Sequence, residues 1–84
     1  MTYTLVYTRR AARDIRKLPP EIKQRIGDTL LRYKDNPTHY GKRLVNSALG
    51  TYRFRIGDYR VIFDIENSDI VILRVGHRKD IYTG

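Results

Sequence analysis

Residues 50–64, GTYRFRIGDYRVIFD, constrain the fold of this chain more than any other segment. Apolar and basic side chains alternate along it with a period of two, and Gly57-Asp58 interrupts the alternation once. Two alternating runs that flank a two-residue turn containing glycine are typical of a β-hairpin. Such a turn places Arg55 directly opposite Arg60. The segment therefore predicts a hairpin with one apolar face and one face that carries arginines.

The predicted pair of Arg55 and Arg60 is unfavourable by itself, because like charges at directly opposite positions destabilise a sheet. A bound anion would remove the conflict, since the planar fork of guanidinium donors matches the geometry of phosphate oxygens. Alternatively, the two side chains splay apart on a solvated basic face. The hairpin alone leaves both interpretations open.

Length and composition predict one small domain, residues 1–84. Hydrophobic residues make up 40% of the chain and charged residues 31%. No apolar run approaches the ~20 residues that span a bilayer, and the N-terminus lacks the basic start and apolar core of a signal peptide. We therefore expect a cytoplasmic protein with no membrane partner.

The sequence gives no indication of a metal or other cofactor. It contains no cysteine, and its two histidines, His39 and His77, do not have the spacing of metal ligands. We therefore expect a function that uses no cofactor.

The charge of the chain points to its partners. Seventeen Lys and Arg against nine Asp and Glu give a net charge of +8, and the pI is about 10.1. Most of the excess lies in residues 1–48, which hold eleven basic and four acidic side chains. Such an excess predicts a polyanionic partner, either nucleic acid or an acidic protein.

Helix signals precede the hairpin. Tyr3–Tyr7 is rich in β-formers, and Thr8 can cap a helix over Arg9–Leu18. Pro20 suits the first position of a second helix, which Asn36-Pro37 would end. We expect the two helices to form a helix hairpin that covers one face of the sheet.

The segments on either side of the hairpin at residues 50–64 complete the predicted order of elements. Residues 37–50 show no sustained periodicity and predict a loop that Leu44 anchors to the core. Ile70–Val75 predicts a further strand. The expected fold is α+β with the order β-α-α-β-β-β and a small, mainly antiparallel sheet.

The turn before the last strand decides which side chains face the core. A two-residue turn at Asn67-Ser68 would put Arg74 on the apolar face of the sheet. A three-residue turn that includes Asp69 instead pairs Phe63 with Leu73. We predict the three-residue turn, because a slip of one residue moves a strand's side chains to the other face. It gathers ten apolar residues on one face: Tyr52, Phe54, Ile56, Tyr59, Val61, Phe63, Ile65, Val71, Leu73 and Val75.

The opposite face is then expected to be open and basic. It collects Arg53, Arg55, Arg60, Arg74 and, if the last strand continues, Arg78, with Ile62 and Ile72 among them. Asp64 is placed to form an ion pair with Arg74, and we favour that pairing over a catalytic role for Arg74.

Several segments together resemble the RelE/ParE superfamily of small toxins, and the RelE branch in particular. The matching segments are KLPPE at the helix junction, the NP that ends the second helix, KRL at 42–44, the hairpin, and the ending VGHRKDIY. They span nearly the whole chain. The resemblance implies the same β-α-α-β-β-β order that the residue patterns predict.

The resemblance also implies an activity. RelE-like toxins are ribosome-dependent endoribonucleases that cut mRNA in the ribosomal A site, through attack of a 2′-hydroxyl on its adjacent phosphodiester and without a metal. By motif, Arg60 is similar to the arginine that holds the scissile phosphate, and Arg78 to a second active-site arginine. Tyr82 is similar to the tyrosine that stacks on a base, although it could instead pack on the sheet.

Arg53 and Arg55 occupy positions where a branch of that family has lysines. Arginine remains protonated in proteins, so we assign Arg55 a role as an electrostatic clamp rather than a general base. The residues expected to contact RNA outside the catalytic set are Arg53, Lys42, Arg43 and Lys79. The alternative for Lys42 and Arg43 is a solvated, charged loop.

The proton acceptor is left open. His77 has a suitable unperturbed pKa, but strand alternation points it toward the helices, where it could equally be structural. His39, in the predicted loop, has less support.

Two other functions remain possible on the same fold, because a fold does not determine a function. One is a ParE-like toxin that inhibits DNA gyrase, and the other is an RNA-binding module without catalysis. The family also implies a cognate antitoxin as partner. We expect it to use an acidic or amphipathic segment that covers either the helix hairpin or the arginines.

Overall fold

The computed structural model describes residues 3–44 and 50–81, which form a five-stranded sheet and three helices. In chain order the elements are β1 Thr4–Tyr7, α1 Arg9–Arg16, α2 Pro20–Tyr33, α3 Pro37–Tyr40, β2 Lys42–Arg43, β3 Tyr52–Ile56, β4 Tyr59–Glu66 and β5 Asp69–His77. The strand order is β1-β5-β4-β3-β2, with β1 parallel to β5 and the other pairs antiparallel. The predicted α+β fold is confirmed. No helix among the described residues is long and apolar enough to cross a membrane.

Thr8 begins α1 as predicted and also joins this helix to the sheet. Its Oγ1 accepts a hydrogen bond from the Ala11 N–H at 3.1 Å and donates one to the Ile72 carbonyl at 3.0 Å. The helix ends at Arg16 rather than at Leu18. The reason is that the Leu18 N–H bonds the carbonyl three residues earlier, which tightens the last turn before the two prolines.

The prediction of a loop over residues 37–50 is wrong at its beginning. Pro37 opens the short helix α3, and β2 follows at once and pairs with β3. A proline that ends one helix can start another, because the first helical position needs no N–H. Gly41 joins the two elements at close quarters: a Cβ there would lie 2.8 Å from Phe63 Cζ and 2.8 Å from the Pro37 carbonyl oxygen.

The hairpin of β3 and β4 has the predicted register. Gly57 has a φ of 61° in the two-residue turn, and Arg55 pairs with Arg60. The positive φ explains the glycine, because residues with a Cβ rarely adopt that conformation.

The turn after β4 differs from the prediction. It has two residues, Asn67-Ser68, and Phe63 pairs with Ile72 instead of Leu73. A β-bulge then shifts the register, so that beyond it Val61 pairs with Val75 as predicted. The extra residue changes which side chains of β5 face the core. The core side chains of β5 are therefore Ile70, Ile72 and Val75, and not Val71 and Leu73.

The core lies between the sheet and the helices α1 and α2, as predicted. The rings of Phe54 and Phe63 stack at its centre, with centroids 4.1 Å apart. The buried cluster comprises Ala11, Ile26, Leu30, Phe54, Ile56, Val61, Phe63, Ile70, Ile72 and Val75. The other face of the sheet lies outside this cluster and carries basic residues.

The predicted ion pair between Asp64 and Arg74 is wrong. Asp64 Oδ1 accepts the Thr51 N–H at 2.7 Å, whereas Arg74 Nε lies 2.9 Å from Asp14 Oδ2 on α1. The same Asp14 oxygen accepts the Val75 N–H at 3.0 Å. Asp14 therefore ties α1 to β5 just beyond the bulge.

We expect Asp14→Ala to lower the free energy of unfolding by about 2 kcal/mol, because it leaves a half-buried arginine and a backbone N–H without their shared acceptor. We expect no larger change, because solvent screens an ion pair whose side chains are partly exposed, at 21% for Arg74 and 15% for Asp14. Urea denaturation measures the change. Asp28→Ala, an exposed acidic position on α2, is the matched control. Equal stability of the two variants would contradict this role.

Candidate functional site

The sheet face opposite the core carries neighbouring basic residues. Residues that pair directly across antiparallel strands point to the same face. Lys42 pairs with Arg53, and Arg55 pairs with Arg60 in the next row toward the hairpin turn. We call these four residues, Lys42, Arg53, Arg55 and Arg60, the arginine face. The structure thus brings together four of the residues that the sequence predicted for the site.

Arg55 and Arg60 differ in exposure, although they lie directly opposite. Arg60 is only 6% exposed, and its Nη1 donates to the carbonyl oxygens of Gly57 and Tyr59, both at 2.9 Å. Arg55 is exposed to solvent. Arg60 therefore braces the hairpin turn, which relieves the predicted repulsion, while Arg55 presents its guanidinium group outward.

The arginine face is not open along its whole length, in contrast to the prediction. Ile62 is 0% exposed, and a Cβ on Gly50 would come within 2.7 Å of Ile62 Cγ2 and 2.8 Å of Leu73 Cδ1. Ile81 is also buried, and it approaches Gly76 so closely that a Cβ there would lie 3.2 Å from Ile81 Cδ1. The chain before β3 and after β5 thus covers a second apolar patch. Ile62, an apolar residue among the basic residues, was the available signal, whereas Ile72, also predicted on this face, lies in the core.

Arg78 and Lys79 follow β5 directly. The Arg78 N–H bonds the Asp58 carbonyl at 2.8 Å, and Arg78 Nε lies 3.7 Å from Asp58 Oδ1. Both of those side chains are more than half exposed, so this ion pair is weak and Arg78 can exchange it for an anion. Lys79 is exposed as well. Arg78 therefore reaches the same turn that Arg60 braces.

Two predicted site residues are not brought into this group. Arg43 pairs with Tyr52, so strand alternation places it on the face opposite the arginine face. Tyr82 lies outside the described residues, and its predicted role in stacking or packing stays a prediction. Arg74 was also expected here, and Asp14 holds it toward α1.

The orientation of His77 argues against a role as general base. Its Nδ1 accepts the Lys79 N–H at 3.1 Å, so the lone pair of this nitrogen is already engaged. The ring packs edge-on to Tyr59, 5.5 Å between centroids, and strand pairing places it on the helix side as predicted. His39 is exposed in α3, edge-on to Tyr40. Residues 3–44 and 50–81 contain no acidic or histidine cluster that could hold a metal ion.

A second surface feature is an apolar groove between α1 and α2. It has a volume of about 390 Å³ and is lined by Tyr7, Ala12, Ile15, Leu18, Lys23, Ile26, Gly27 and Leu30. We call it the helix groove. Burial raises the pKa of the Tyr7 phenol above its ordinary value, so this ring stays neutral near physiological pH. The groove is open at Gly27, because a Cβ there would meet no atom within 4 Å.

Comparisons with known proteins agree with this architecture. The family model for the ParE toxin of type II toxin-antitoxin systems, parDE, matches residues 5–82. Toxin RelG of Mycobacterium tuberculosis is 40% identical over 85 residues, which cover 98% of each chain. Toxin RelE of the same organism is 31% identical over 83 residues, covering 95% of this chain and 86% of that protein.

A solved structure supports the same relationship. A chain of the toxin-antitoxin complex RelBE2 from Mycobacterium tuberculosis superposes with a TM-score of 0.85 and 36% identity, over 93% of this chain and 100% of that one. The family model and both sequence relatives cover nearly all of the chain, so the match is not confined to one segment. The chain therefore belongs to the RelE/ParE superfamily of toxins of type II toxin–antitoxin systems.

Proposed function

We propose that this toxin is a ribosome-dependent endoribonuclease that cuts mRNA in the A site. The observation that carries the proposal is the exposed guanidinium of Arg55, which lies one row from Arg53 and Lys42. Arg78, at the adjacent turn, adds a second exposed guanidinium. The likeness to the relatives named RelG and RelE supports the assignment to the RelE branch.

The proposed reaction is attack of a ribose 2′-hydroxyl on the adjacent phosphodiester. A new P–O bond forms to the 2′-oxygen and the bond to the 5′-oxygen breaks, so the products are a 2′,3′-cyclic phosphate and a 5′-hydroxyl. Negative charge builds on the non-bridging oxygens in the transition state. Arg55 and Arg78 can stabilise that charge, and preorganised donors of this kind are a large contribution to catalysis.

The arginines cannot also remove the proton from the 2′-hydroxyl. Guanidinium groups stay protonated in proteins, and His77 has its Nδ1 engaged by a backbone N–H. The role proposed for the arginine face is therefore binding of the phosphate and stabilisation of charge, with the proton accepted by another group.

Mapping the cleavage products tests this proposal. Purified toxin is incubated with ribosomes that hold a defined mRNA, and new 5′-hydroxyl ends are mapped by primer extension. We expect cuts at the A-site codon with ribosomes and none with the same mRNA alone. Intact mRNA on translating ribosomes, at toxin concentrations that stop protein synthesis, would contradict the proposal.

A ParE-like inhibition of DNA gyrase is the second candidate, because the matching family model is that of ParE. A gyrase supercoiling assay with the purified toxin separates the two functions. Inhibition of supercoiling without mRNA cleavage would favour the gyrase target. Binding of RNA that is sensitive to salt, without cleavage products, would instead indicate a module without catalysis.

We also propose that a cognate antitoxin binds this chain with an amphipathic acidic segment. The solved relative is a toxin–antitoxin complex, which supports a partner of this kind. The helix groove offers an apolar surface, and exposed Lys23 is part of its lining. A second surface pocket, which shares Ala12 with the groove, is lined by the exposed residues Arg9, Arg13 and Arg16. An apolar stripe flanked by carboxylates is complementary to both features.

Gly27→Phe is expected to weaken antitoxin binding at least tenfold, because the added ring would fill the helix groove. Gly27→Ala is the matched control: it adds a single methyl group to open space and should stabilise α2 by up to about 1 kcal/mol. Titration calorimetry with the antitoxin measures the affinity, and thermal unfolding confirms that both variants fold. Unchanged affinity of Gly27→Phe would place the antitoxin elsewhere, for example on the arginine face.

A further inference from the structure

Tyr33 and Tyr40 form a stack of rings at the side of the core. Their centroids are 4.3 Å apart and their planes differ by 7°. Tyr33 in turn contacts Phe54, a fully buried core residue, at 5.1 Å between centroids. Tyr40 is thus held in place through Tyr33, yet 47% of it is exposed. The result is a rigid aromatic surface that faces solvent.

An arginine and a histidine lie beside this stack. Arg32 Cζ lies 5.9 Å from the centroid of the Tyr33 ring, and the His39 ring is edge-on to Tyr40 at 4.8 Å. The first lysine or arginine after Tyr40 is Lys42, which belongs to the arginine face. Gly41 between them is extended, so Tyr40 and Lys42 are about 7 Å apart along the backbone. The stack therefore lies at the β2 edge on the core side of the sheet, next to the point where Lys42 begins the arginine face.

We propose that Tyr40 is a stacking site for a nucleobase of single-stranded RNA. The base belongs to a nucleotide beyond the scissile phosphate, and Lys42 contacts the phosphate between the two sites. This inference rests on the proposed function, because RNA must first cross the arginine face. Exposed aromatic rings beside cations are the usual means of binding single strands without reading their sequence.

The rigidity of the stack favours this role. A ring that is already fixed loses little conformational freedom when a base stacks on it, so more of the interaction appears as affinity. The helix α3 has four residues and ends in Tyr40, which places the ring at the edge of the sheet. A flat ring near Arg32 and Lys42 offers a base a stacking partner and its phosphate a cation, whereas an acidic protein segment would use only the cations.

The chain contains no tryptophan, so Tyr40→Trp introduces a single fluorophore at the proposed site. The probe is a 2′-O-methyl oligoadenosine hexamer, which lacks the reactive hydroxyl and cannot be cut by the proposed reaction. We expect this hexamer to quench the tryptophan strongly, and an abasic hexamer of equal charge to leave it nearly unchanged. Tyr7→Trp, a half-exposed position on β1 at the opposite edge of the sheet, should respond to neither.

Affinity provides a second measurement. Tyr40→Ala should bind the adenosine hexamer about tenfold more weakly, whereas Tyr40→Phe, which keeps the ring, should bind like the wild type. Equal quenching by the abasic hexamer, or equal affinities of the Ala and Phe variants, would overturn the proposal. Quenching by the antitoxin and not by RNA would also overturn it. Quenching by RNA together with intact mRNA on ribosomes would reject the proposed cleavage and leave the stacking site standing.

Discussion

Arg55→Ala is expected to reduce the rate of ribosome-dependent mRNA cleavage by about 10²-fold, by analogy with the loss of an oxyanion-hole donor. Arg55 is exposed on the arginine face, so its removal takes away charge stabilisation without disturbing the core. We expect its free energy of unfolding to change by less than about 0.5 kcal/mol. Single-turnover cleavage on ribosomes measures the rate.

Arg10→Ala is the matched control for Arg55→Ala. It removes the same charge from an exposed position on α1, away from the arginine face, and should cleave at a rate close to that of the wild type. If both variants lost activity equally, the arginines would act through overall charge alone. A fully active Arg55→Ala would remove Arg55 from the proposed mechanism.

Arg60→Ala is expected to lower the free energy of unfolding by about 3 kcal/mol, because two charge-assisted hydrogen bonds to carbonyl oxygens are lost from a buried position. Arg60→Lys should recover only part of this stability, since an ammonium group lacks the planar fork of the guanidinium. Urea denaturation measures both variants. Cleavage is then compared at a temperature where each is folded.

The same comparison separates two roles for Arg60. Loss of stability and activity together would show that Arg60 positions the turn beside Arg55 and Arg78. A variant as stable as the wild type but inactive would contradict that bracing role and would indicate direct contact with the phosphate, as the family resemblance implies. Arg55→Ala supplies the stability reference, because its side chain is exposed.

The hairpin could be predicted from the sequence because its determinants are local. The alternation of side chains sets the two strands, and Gly57 accepts the positive φ that the turn needs. The pairing of Arg55 with Arg60 follows from these two facts alone. Thr8 and Pro20 are local signals of the same kind. The two helices begin where these residues predict.

The register of β5 could not be predicted in full. Its apolar residues occupy both alternating positions, Ile70 and Ile72 in one set and Val75 in the other, so no single register buries all of them. The bulge satisfies both sets by adding one residue between them. The residues that contact β5 on either side of the bulge are distant in sequence. On one side β1 pairs with residues 69–72, and on the other Asp14 accepts the N–H of Val75. Apolar residues at both odd and even positions of β5 were the sequence signal for a bulge.

The sequence by itself determined that Arg53, Arg55 and Arg60 share one sheet face, because side chains alternate along each strand of the hairpin. It could not determine which of them meet solvent. That depends on chain segments far apart in sequence: Ile81 returns over Gly76, Gly50 packs against Ile62, and Arg60 turns back to its own hairpin. Exposure is a property of the assembled surface, so only the tertiary structure distinguished an outward Arg55 from a buried Arg60.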